Sequence, residues 1–247
     1  MVGEWAADRT IFRVSGTDAR KFLQGLVTND VEKPGLVYAA LLTPQGKYLF
    51  DFFLLAEGDS FLLDIQSARA AALAQRLNMY RLRADVKIEE AGLFVNRGLG
   101  NAPDGAHGDP RNPALGWRMY ARNKGGAGKI DWAAIRVAHC IPETGIELLP
   151  DNSYILESGF EALSGVDFRK GCYVGQEVTA RMKHKTELRK GLRGVTVAGE
   201  APVGSEIKVD GKLVGTLFSQ SGGKGIAYLR LDRVRDGMTA DGASISL

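Results

Sequence analysis

The spacing of hydrophobic residues predicts a mixed helix-and-strand region over residues 1–96. Alternating and uniformly apolar stretches predict strands, which are joined by tight turns at residues 43–46 and 57–59. Apolar residues at helical spacing predict one helix after Asp18 and a longer helix capped by Ser67. Because hairpin connections join antiparallel strands, this region is predicted to be α+β with an antiparallel sheet.

The pattern changes twice farther along the chain. Residues 97–116 are rich in Gly, Pro, Asn and Asp, which is typical of a domain boundary or a long loop. From Gly191 onward short strands alternate with turns, and Asp210-Gly211 is a strong hairpin signal. The sequence therefore predicts an N-terminal α+β domain (1–96), a second α+β domain (97–190) and a C-terminal antiparallel β-barrel (191–247).

The composition is that of a protein with a sizeable hydrophobic core. Of the 247 residues, 45% are hydrophobic and 25% are charged, values close to those of average globular proteins. The apolar runs are far shorter than the roughly 18 residues that a membrane-spanning helix needs. The first residues lack the features of a secretory signal or a transit peptide. We therefore expect a cytoplasmic protein that makes no contact with a membrane.

Positive charge is concentrated in one segment, residues 165–193. The whole chain has a net charge of only +3, which is too mild for binding duplex nucleic acid over the whole surface. The segment carries eight basic residues against three acidic ones; the basic ones are Arg169, Lys170, Arg181, Lys183, Lys185, Arg189, Lys190 and Arg193. Either this is a solvated basic face or it binds an anionic ligand. Few aromatic residues are interleaved with the basic ones, so stable nucleic-acid binding is the weaker interpretation.

The two cysteines, Cys140 and Cys172, exclude several kinds of site. Two cysteines cannot form a disulfide framework, which agrees with a reducing compartment. A structural zinc site normally has four Cys or His ligands at close spacing, and an iron–sulfur cluster is typically held by four thiolates. We therefore predict no resident metal, although a transient contact between a cluster and Cys172 stays open.

The segment around Cys172 is the most informative part of the sequence. Cys172 lies between two glycines, and a helix is predicted to begin near Gln176. The positive end of a helix dipole and the neighbouring Arg169 and Lys170 would favour the thiolate form of the cysteine. The alternative is a small buried thiol that packs under a turn.

Residues 170–177, KGCYVGQE, match the K-G-C-[FY]-x-G-Q-E signature of the YgfZ-type folate-binding proteins. These proteins are relatives of the glycine-cleavage T-protein, an aminomethyltransferase. The resemblance covers nearly the whole chain and includes residues 16–31, residues 43–52, Pro142-Glu143, Leu149-Pro150, Gly215-Thr216 and Ser219. One departure is Asp151-Asn152, where the family usually has a glutamine-glutamate pair.

The resemblance implies an α+β fold in which three domains form a T-protein-like ring around a central folate channel. It implies that the N-terminal domain binds tetrahydrofolate or a one-carbon derivative. It also implies a role in the assembly or repair of iron–sulfur enzymes, with effects on cluster-dependent tRNA modification. The expected partners are folate and iron–sulfur enzymes or cluster-assembly proteins.

The resemblance also suggests which residues form the site. Cys172 and Asp51 are expected to be catalytic, Asp51 because it falls where the T-protein has its catalytic aspartate. The expected folate-binding residues are Asp51, Asn29, Arg169, Lys170, Gln176, Glu177 and Arg181. Arginine suits the anionic glutamyl tail of folate because its planar fork can bind a carboxylate through two hydrogen bonds.

Asp51 is unusual on the residues alone, because it interrupts an apolar stretch. On an alternating strand it shares a face with Leu49 and Phe53, where an unpartnered carboxylate would cost several kcal/mol. The N–H donors of a pterin ring would satisfy it in an apolar cleft. The alternative is an aspartate that faces water at a sheet edge or caps a turn.

Three functions follow from these observations. The first is a tetrahydrofolate-binding accessory protein for iron–sulfur enzymes that uses Cys172 as its working thiol. The second is a folate-dependent one-carbon (aminomethyl) transferase, and the third is a folate-binding scaffold without catalysis. Because aminomethyl transfer needs no thiol, Cys172 in its motif favours the first function.

Overall fold

The computed structural model describes residues 2–185 and 188–247, and its contacts divide the chain into two compact units. Unit 1 consists of the chain up to Ile130 together with Glu161–Gln176. Unit 2 consists of Asp131–Phe160 together with Glu177–Leu247. Residue 97, the predicted start of the second domain, lies inside a strand of unit 1.

Unit 1 contains most of the predicted α+β region. Its elements are β1 (Glu4–Trp5), β2 (Arg9–Ser15), α1 (Ala19–Gln24), β3 (Leu36–Leu42), β4 (Tyr48–Glu57), β5 (Ser60–Gln66), α2 (Ser67–Arg81), β6 (Lys87–Glu90), β7 (Phe94–Gly98), β8 (His107–Gly108) and β9 (Trp117–Ala121). They form an antiparallel five-stranded sheet in the order β3-β4-β5-β2-β6 and a four-stranded sheet in the order β1-β7-β9-β8. The prediction of an antiparallel sheet is confirmed.

The two faces of the five-stranded sheet differ in chemistry. One face is apolar and packs against α1 and α2; it carries Val37, Ala39, Leu41, Phe50, Phe52, Leu54, Phe61 and Leu63. Because successive strand residues point to opposite sides, Tyr38, Asp51, Phe53 and Asp64 lie on the other face. A register shift between Leu41 and Leu42 places Tyr48 opposite Leu42 on this second face. The alternation therefore separates an apolar core from a face that carries polar groups.

The helix caps differ in part from the predicted ones. Asp18 precedes α1, but its side chain does not cap the helix. Ser67, the predicted cap of the longer helix, is the first residue of α2, and the preceding residue, Gln66, makes no side-chain cap either. The Asp18 carboxylate instead accepts a hydrogen bond from the N–H of Asp85 (2.8 Å). Gly16, with φ of +111°, lets the chain pass so close that a Cβ would lie 2.1 Å from the Asp85 carbonyl oxygen. Contacts distant in sequence thus replace the expected local caps.

Unit 2 contains the predicted barrel. Its elements are α3 (Trp132–Ala138), α4 (Gln176–Lys185, beginning at the unit boundary), β10 (Lys190–Ala198), β11 (Ser205–Val209), β12 (Lys212–Ser221), β13 (Lys224–Arg230), β14 (Met238–Ala240) and β15 (Ala243–Ser246). The strands close in the order β10-β13-β12-β11-β14-β15. Asp210 and Gly211 both have positive φ and connect β11 to β12, as the hairpin signal predicted. Within residues 188–247 the helical structure is a three-residue 3-10 turn, Leu231–Arg233.

A buried ion pair attaches α3 to the barrel within unit 2. Arg136 donates to the carboxylate of Glu147 (2.9 Å) and to the hydroxyl of Ser219 on β12. The second oxygen of Glu147 accepts from the backbone N–H of Ser219 (3.2 Å). Of the helices in the part of the chain that the structure describes, none is long and apolar enough to cross a bilayer.

Candidate functional site

Lys170 anchors the Cys172 segment to the rest of unit 1. Its buried ammonium group donates to the backbone carbonyls of Gln24 (2.8 Å), Val27 (2.6 Å) and Asn29 (3.1 Å). Burial lowers the pKa of Lys170 to about 8. All three N–H donors of the ammonium group are engaged with the chain itself. Lys170 therefore has no donor left for a carboxylate of a ligand, although folate binding was expected of it.

The residues after Cys172 hold the segment from the other side. Tyr173 is buried, and Val174 packs against the apolar core of unit 1. Gly175 has φ of +84°, and a Cβ at this position would lie 2.6 Å from the carbonyl oxygen of Thr43. Glycine is required here because of both the left-handed backbone and the close approach. Cys172 therefore sits on a turn that is fixed at both ends.

The Cys172 side chain is exposed and opens into a cleft of about 450 Å³. The other residues lining the cleft are Thr17, Arg20, Lys21, Gln24, Gly25 and Glu32. Cys140, by contrast, is half-buried, and burial raises the pKa of its thiol to about 11. The structure thus presents one accessible thiol and shields the other, which favours the working-thiol interpretation of Cys172 over the packing interpretation.

Asp51 is held by two tyrosines on the polar face of the sheet. The hydroxyls of Tyr38 (3.0 Å) and Tyr48 (2.6 Å) donate to its two carboxylate oxygens. Both tyrosines are fully buried, whereas Asp51 is partly exposed. Burial first, and then the Asp51 carboxylate, raise the pKa of Tyr38 well above its usual value, so that the phenol stays a donor. The Arg111 guanidinium lies over the Tyr38 ring, 5.5 Å from its centre.

Cys172 and Asp51 lie on different sides of the five-stranded sheet. The cleft at Cys172 is lined by α1, which covers the apolar face, and Asp51 is not among its lining residues. The loop that follows Cys172 passes around the β3–β4 turn, where Gly175 contacts Leu42 and Thr43. The central folate channel that the resemblance implies stays a prediction.

A second carboxylate on the polar face, Asp64, was missed by sequence analysis. It is fully buried and pairs with Arg9 (2.6 Å) and Arg118 (2.7 Å). Burial alone would raise the pKa of Asp64, but Arg118 and Arg9 reverse this and hold it below the usual value. Asp64 interrupts the apolar run FLLDIQ much as Asp51 interrupts LFDFF, so the same signal was present. Its partners, distant in sequence, could not be identified from it.

The predicted folate residue Asn29 serves the protein's own chain. Its side-chain amide donates to the backbone carbonyls of Tyr38 (2.8 Å) and Ser164 (2.6 Å). Its side-chain oxygen accepts from Lys33 (2.8 Å), whose ammonium group also pairs with Asp167 (2.7 Å). Asn29 thus holds β3 against the segment that precedes the Cys172 motif, and its amide group stabilises the fold.

The remaining predicted residues lie at or near the surface. Arg169 is exposed, and its backbone N–H donates to the Asp167 carboxylate (2.7 Å). Gln176 is partly exposed, and its backbone N–H donates to the Tyr173 carbonyl (3.2 Å). Within unit 2, the exposed side chains of Arg181 and Glu177 pair at 3.2 Å. Folate contacts by these four residues stay a prediction.

The residues around Asp51 fit the pterin end of a folate. A carboxylate is an acceptor for the N–H donors of such a ring, and the two tyrosines fix the directions of its oxygens. Lys170 and Asn29 do not add to this set, since their groups are already bonded. Among residues 2–185 and 188–247, no cluster of three or more His, Cys, Asp or Glu side chains could hold a metal ion.

Comparisons with known proteins agree with this architecture. Residues 189–247 match the family described as the CAF17 C-terminal beta-barrel domain. The fold is similar to the crystal structure of the glycine cleavage system aminomethyltransferase T from Bartonella henselae, with a TM-score of 0.76. That similarity covers 97% of this chain and 82% of the other at 14% sequence identity. The T-protein-like fold, with its C-terminal barrel, is therefore confirmed.

Relatives with higher identity show the family. The human mitochondrial iron–sulfur cluster assembly factor IBA57 is 30% identical over 97% of this chain and 81% of its own length. The Mus musculus protein of the same name is 31% identical over 92% of this chain and 77% of its own length. The narrower resemblance to YgfZ-type proteins stays a prediction. The chain belongs to the IBA57 family of iron–sulfur cluster assembly factors.

Proposed function

We propose that this protein is an accessory factor in the assembly or repair of iron–sulfur enzymes and that Cys172 is its working thiol. The relatives are iron–sulfur cluster assembly factors. The observation that carries the proposal is the exposed Cys172 on a turn fixed by Lys170 and Gly175. A thiol kept for packing would be buried, as Cys140 partly is.

In this function the cluster is cargo. A thiolate is a strong ligand for iron, so Cys172 can supply one sulfur ligand while a cluster is in transit. The remaining ligands would come from another molecule, such as a partner protein, a second copy of this chain, a small thiol or the folate, because the chain has only one other cysteine, and that cysteine is partly buried. The expected partners are therefore cluster-carrying proteins and the enzymes that receive clusters.

We further propose that tetrahydrofolate, or a one-carbon derivative, binds at Asp51. The carboxylate would accept hydrogen bonds from the pterin ring, and Tyr38 and Tyr48 would keep it oriented for this. When bound, the folate would supply a carrier for one-carbon groups. Because Asp51 is not among the residues that line the cleft at Cys172, we propose that folate and cargo occupy different places on unit 1.

The test compares two single substitutions, Cys172→Ser and Cys140→Ser, in cells that lack the wild-type gene. We expect Cys172→Ser to lower the activity of cluster-dependent enzymes and the level of cluster-dependent tRNA modification. We expect Cys140→Ser to restore both. Melting curves of the purified variants check that each is folded. Full restoration by Cys172→Ser would contradict the proposal.

A third cell line, which carries Asp51→Asn, addresses the transferase alternative. A folate-dependent aminomethyl transferase would depend on Asp51 and would not need the thiol. Under that alternative, Asp51→Asn fails to restore the activity of cluster-dependent enzymes, whereas Cys172→Ser restores it. Our proposal predicts that Cys172→Ser does not restore this activity.

A further inference from the structure

Arg111 lies in the loop between β8 and β9, within the segment that is rich in Gly and Pro. The loop is closed by a hydrogen bond from the N–H of Asp109 to the carbonyl of Gly116 (2.9 Å). Inside it, the side-chain oxygen of Asn112 accepts from the N–H of Ala114 (2.9 Å) and caps a short 3-10 turn. These bonds fix the loop that carries Arg111.

The buried carboxylate of Asp109 sets the direction of the Arg111 guanidinium group. Its two oxygens accept from Nε (3.0 Å) and Nη2 (2.8 Å), and one of them also accepts from the Arg111 backbone N–H (3.1 Å). Nη1, on the other side of the planar group, makes no hydrogen bond to the part of the chain that the structure describes. The side chain is 15% exposed. Arg111 therefore keeps N–H donors for a ligand.

Two aromatic rings fix the position of the same group. The central carbon of the Arg111 guanidinium lies 4.8 Å from the centre of the Phe53 ring and 5.5 Å from the centre of the Tyr38 ring. Both rings are buried, which strengthens the attraction between a cation and the face of a ring. A donor that is held by an ion pair and two rings loses little conformational freedom when a ligand binds to it.

Tyr38 connects Arg111 to Asp51. The guanidinium group lies against the Tyr38 ring, and the Tyr38 hydroxyl donates to the Asp51 carboxylate (3.0 Å). One tyrosine side chain therefore separates a group that only donates from a carboxylate that accepts. The guanidinium groups that lie over Phe53 belong to Arg9, Arg111 and Arg118, and the carboxylates on this face include Asp51, Asp64 and Asp109. Because these charges balance, the pair suits a neutral ring with both donors and acceptors better than an anion.

We propose that Arg111 is a specificity-determining residue of the folate site, which donates to the ring carbonyl of the pterin while Asp51 accepts from the ring N–H groups. This inference rests on the proposed function, because it takes the folate to bind at Asp51. The recognised group is a pyrimidine edge that carries an amino group, a ring N–H and a carbonyl side by side. An amino group in place of the carbonyl would set donors against a cation that can only donate. The pair therefore selects the oxo form of the ring over the amino form.

The first experiment compares tetrahydrofolate with its 4-amino analogue, which carries an amino group where tetrahydrofolate has the ring carbonyl. Both are titrated calorimetrically into the full-length wild type in mildly alkaline buffer, where both rings are neutral. We expect tetrahydrofolate to bind at least about tenfold more tightly. Equal or tighter binding of the 4-amino analogue would overturn the inference and leave folate binding intact. Binding of neither compound would reject the folate part of the proposed function, and the inference with it.

Guanosine is the third probe, because a guanine ring displays the same amino, N–H and carbonyl groups. We expect it to bind more weakly than tetrahydrofolate. Tighter binding of guanosine would overturn the assignment of a pterin to Arg111.

The second experiment uses Arg111→Gln, with Arg83→Gln at an exposed position after α2 as its control. The glutamine amide can accept as well as donate, so the ratio of the two affinities should fall to about one. Arg111→Lys keeps a donor and should retain a preference for tetrahydrofolate, and Arg83→Gln should keep the wild-type ratio. Melting curves check that each variant is folded. A folded Arg111→Gln that binds both compounds more weakly but keeps their ratio would show a merely structural role and overturn the inference.

Discussion

The Cys172 turn and the polar face of the five-stranded sheet are built in related ways but differ in how their charges are satisfied. In the turn, the buried ammonium group of Lys170 is bonded to three backbone carbonyls, and Cys172 is exposed two residues later. On the sheet face, Asp64 is buried between Arg9 and Arg118, and the partly exposed Asp51 lies on the neighbouring strand.

In each region one titratable group is bonded within the fold and another is left accessible. Lys170 and Asp64 have partners within the chain for their charges, so their loss should cost stability. Cys172 and Asp51 retain exposure, so their loss should cost function. The partners also differ: Lys170 donates to neutral backbone carbonyls, whereas the Asp64 carboxylate pairs with the guanidinium groups of Arg9 and Arg118.

The largest effect is expected at Asp64. Asp64→Asn removes the nearer buried counter-ion of Arg118, which is 4% exposed, and leaves Asp109 at 3.7 Å. Removing one partner of a buried ion pair costs about 3–5 kcal/mol, so we expect a loss of this size in the free energy of unfolding from urea titration. Asp59→Asn, at an exposed position, serves as the control and should change the free energy of unfolding by less than about 0.5 kcal/mol. A loss at Asp64 no larger than the control would show that the cluster is not structural.

The next effect concerns folate binding at Asp51. Asp51→Asn keeps the side-chain shape but removes the charge of the acceptor. A hydrogen bond to a charged group contributes about 1.5–3 kcal/mol, so the affinity for tetrahydrofolate should fall roughly ten- to a hundredfold in calorimetric titration. Asp59→Asn is again the control and should bind like the wild type. Unchanged affinity of Asp51→Asn would remove this residue from the site.

A smaller effect on stability is expected at Lys170. Lys170→Met fills a similar space but leaves three buried carbonyls without their donor, which should lower the free energy of unfolding by about 1–3 kcal/mol. Lys21→Met, on the exposed side of α1, is the control. A stability equal to that of the wild type would show that the ammonium group does not hold the turn.

The pH dependence of stability tests the same pair of proteins through the protonation of Lys170. The pKa of Lys170 is lowered to about 8 in the folded protein, from an ordinary value of 10.5. The unfolded chain therefore binds more protons than the folded chain between these values, and the free energy of unfolding rises with pH there. We expect the stability of the wild type relative to Lys170→Met to increase from about pH 8 to about pH 10.5. A decrease over this range would contradict the direction of the shift.

Local sequence signals predicted the features that depend on neighbouring residues. Asp210-Gly211 identified a hairpin of the barrel because both residues tolerate positive φ. The motif singled out Cys172 but left open whether its thiol is exposed or buried, and the interrupted apolar run identified Asp51 as unusual. Asp64 carried a comparable local signal, since it interrupts an apolar run in the same way.

The features that depend on distant partners could not be predicted in this way. Lys170 lies 146 positions from Gln24, to whose carbonyl it donates. Asn29 reaches across 135 positions to Ser164, and Arg118 across 54 to Asp64. A charge or an amide in the sequence shows that a partner is needed but not which one. Lys170 and Asn29 were therefore assigned to a ligand although the fold itself satisfies them.

The most direct measurement is the rate at which each cysteine of the wild-type protein is alkylated at pH 7.5, followed by mass spectrometry. Cys172 is exposed to solvent, whereas Cys140 is half-buried and burial raises the pKa of its thiol to about 11. Since the thiolate is the reactive form, we predict that iodoacetamide modifies Cys172 at least about ten times faster than Cys140. Equal rates, or faster modification of Cys140, would contradict the claim that the turn presents a working thiol.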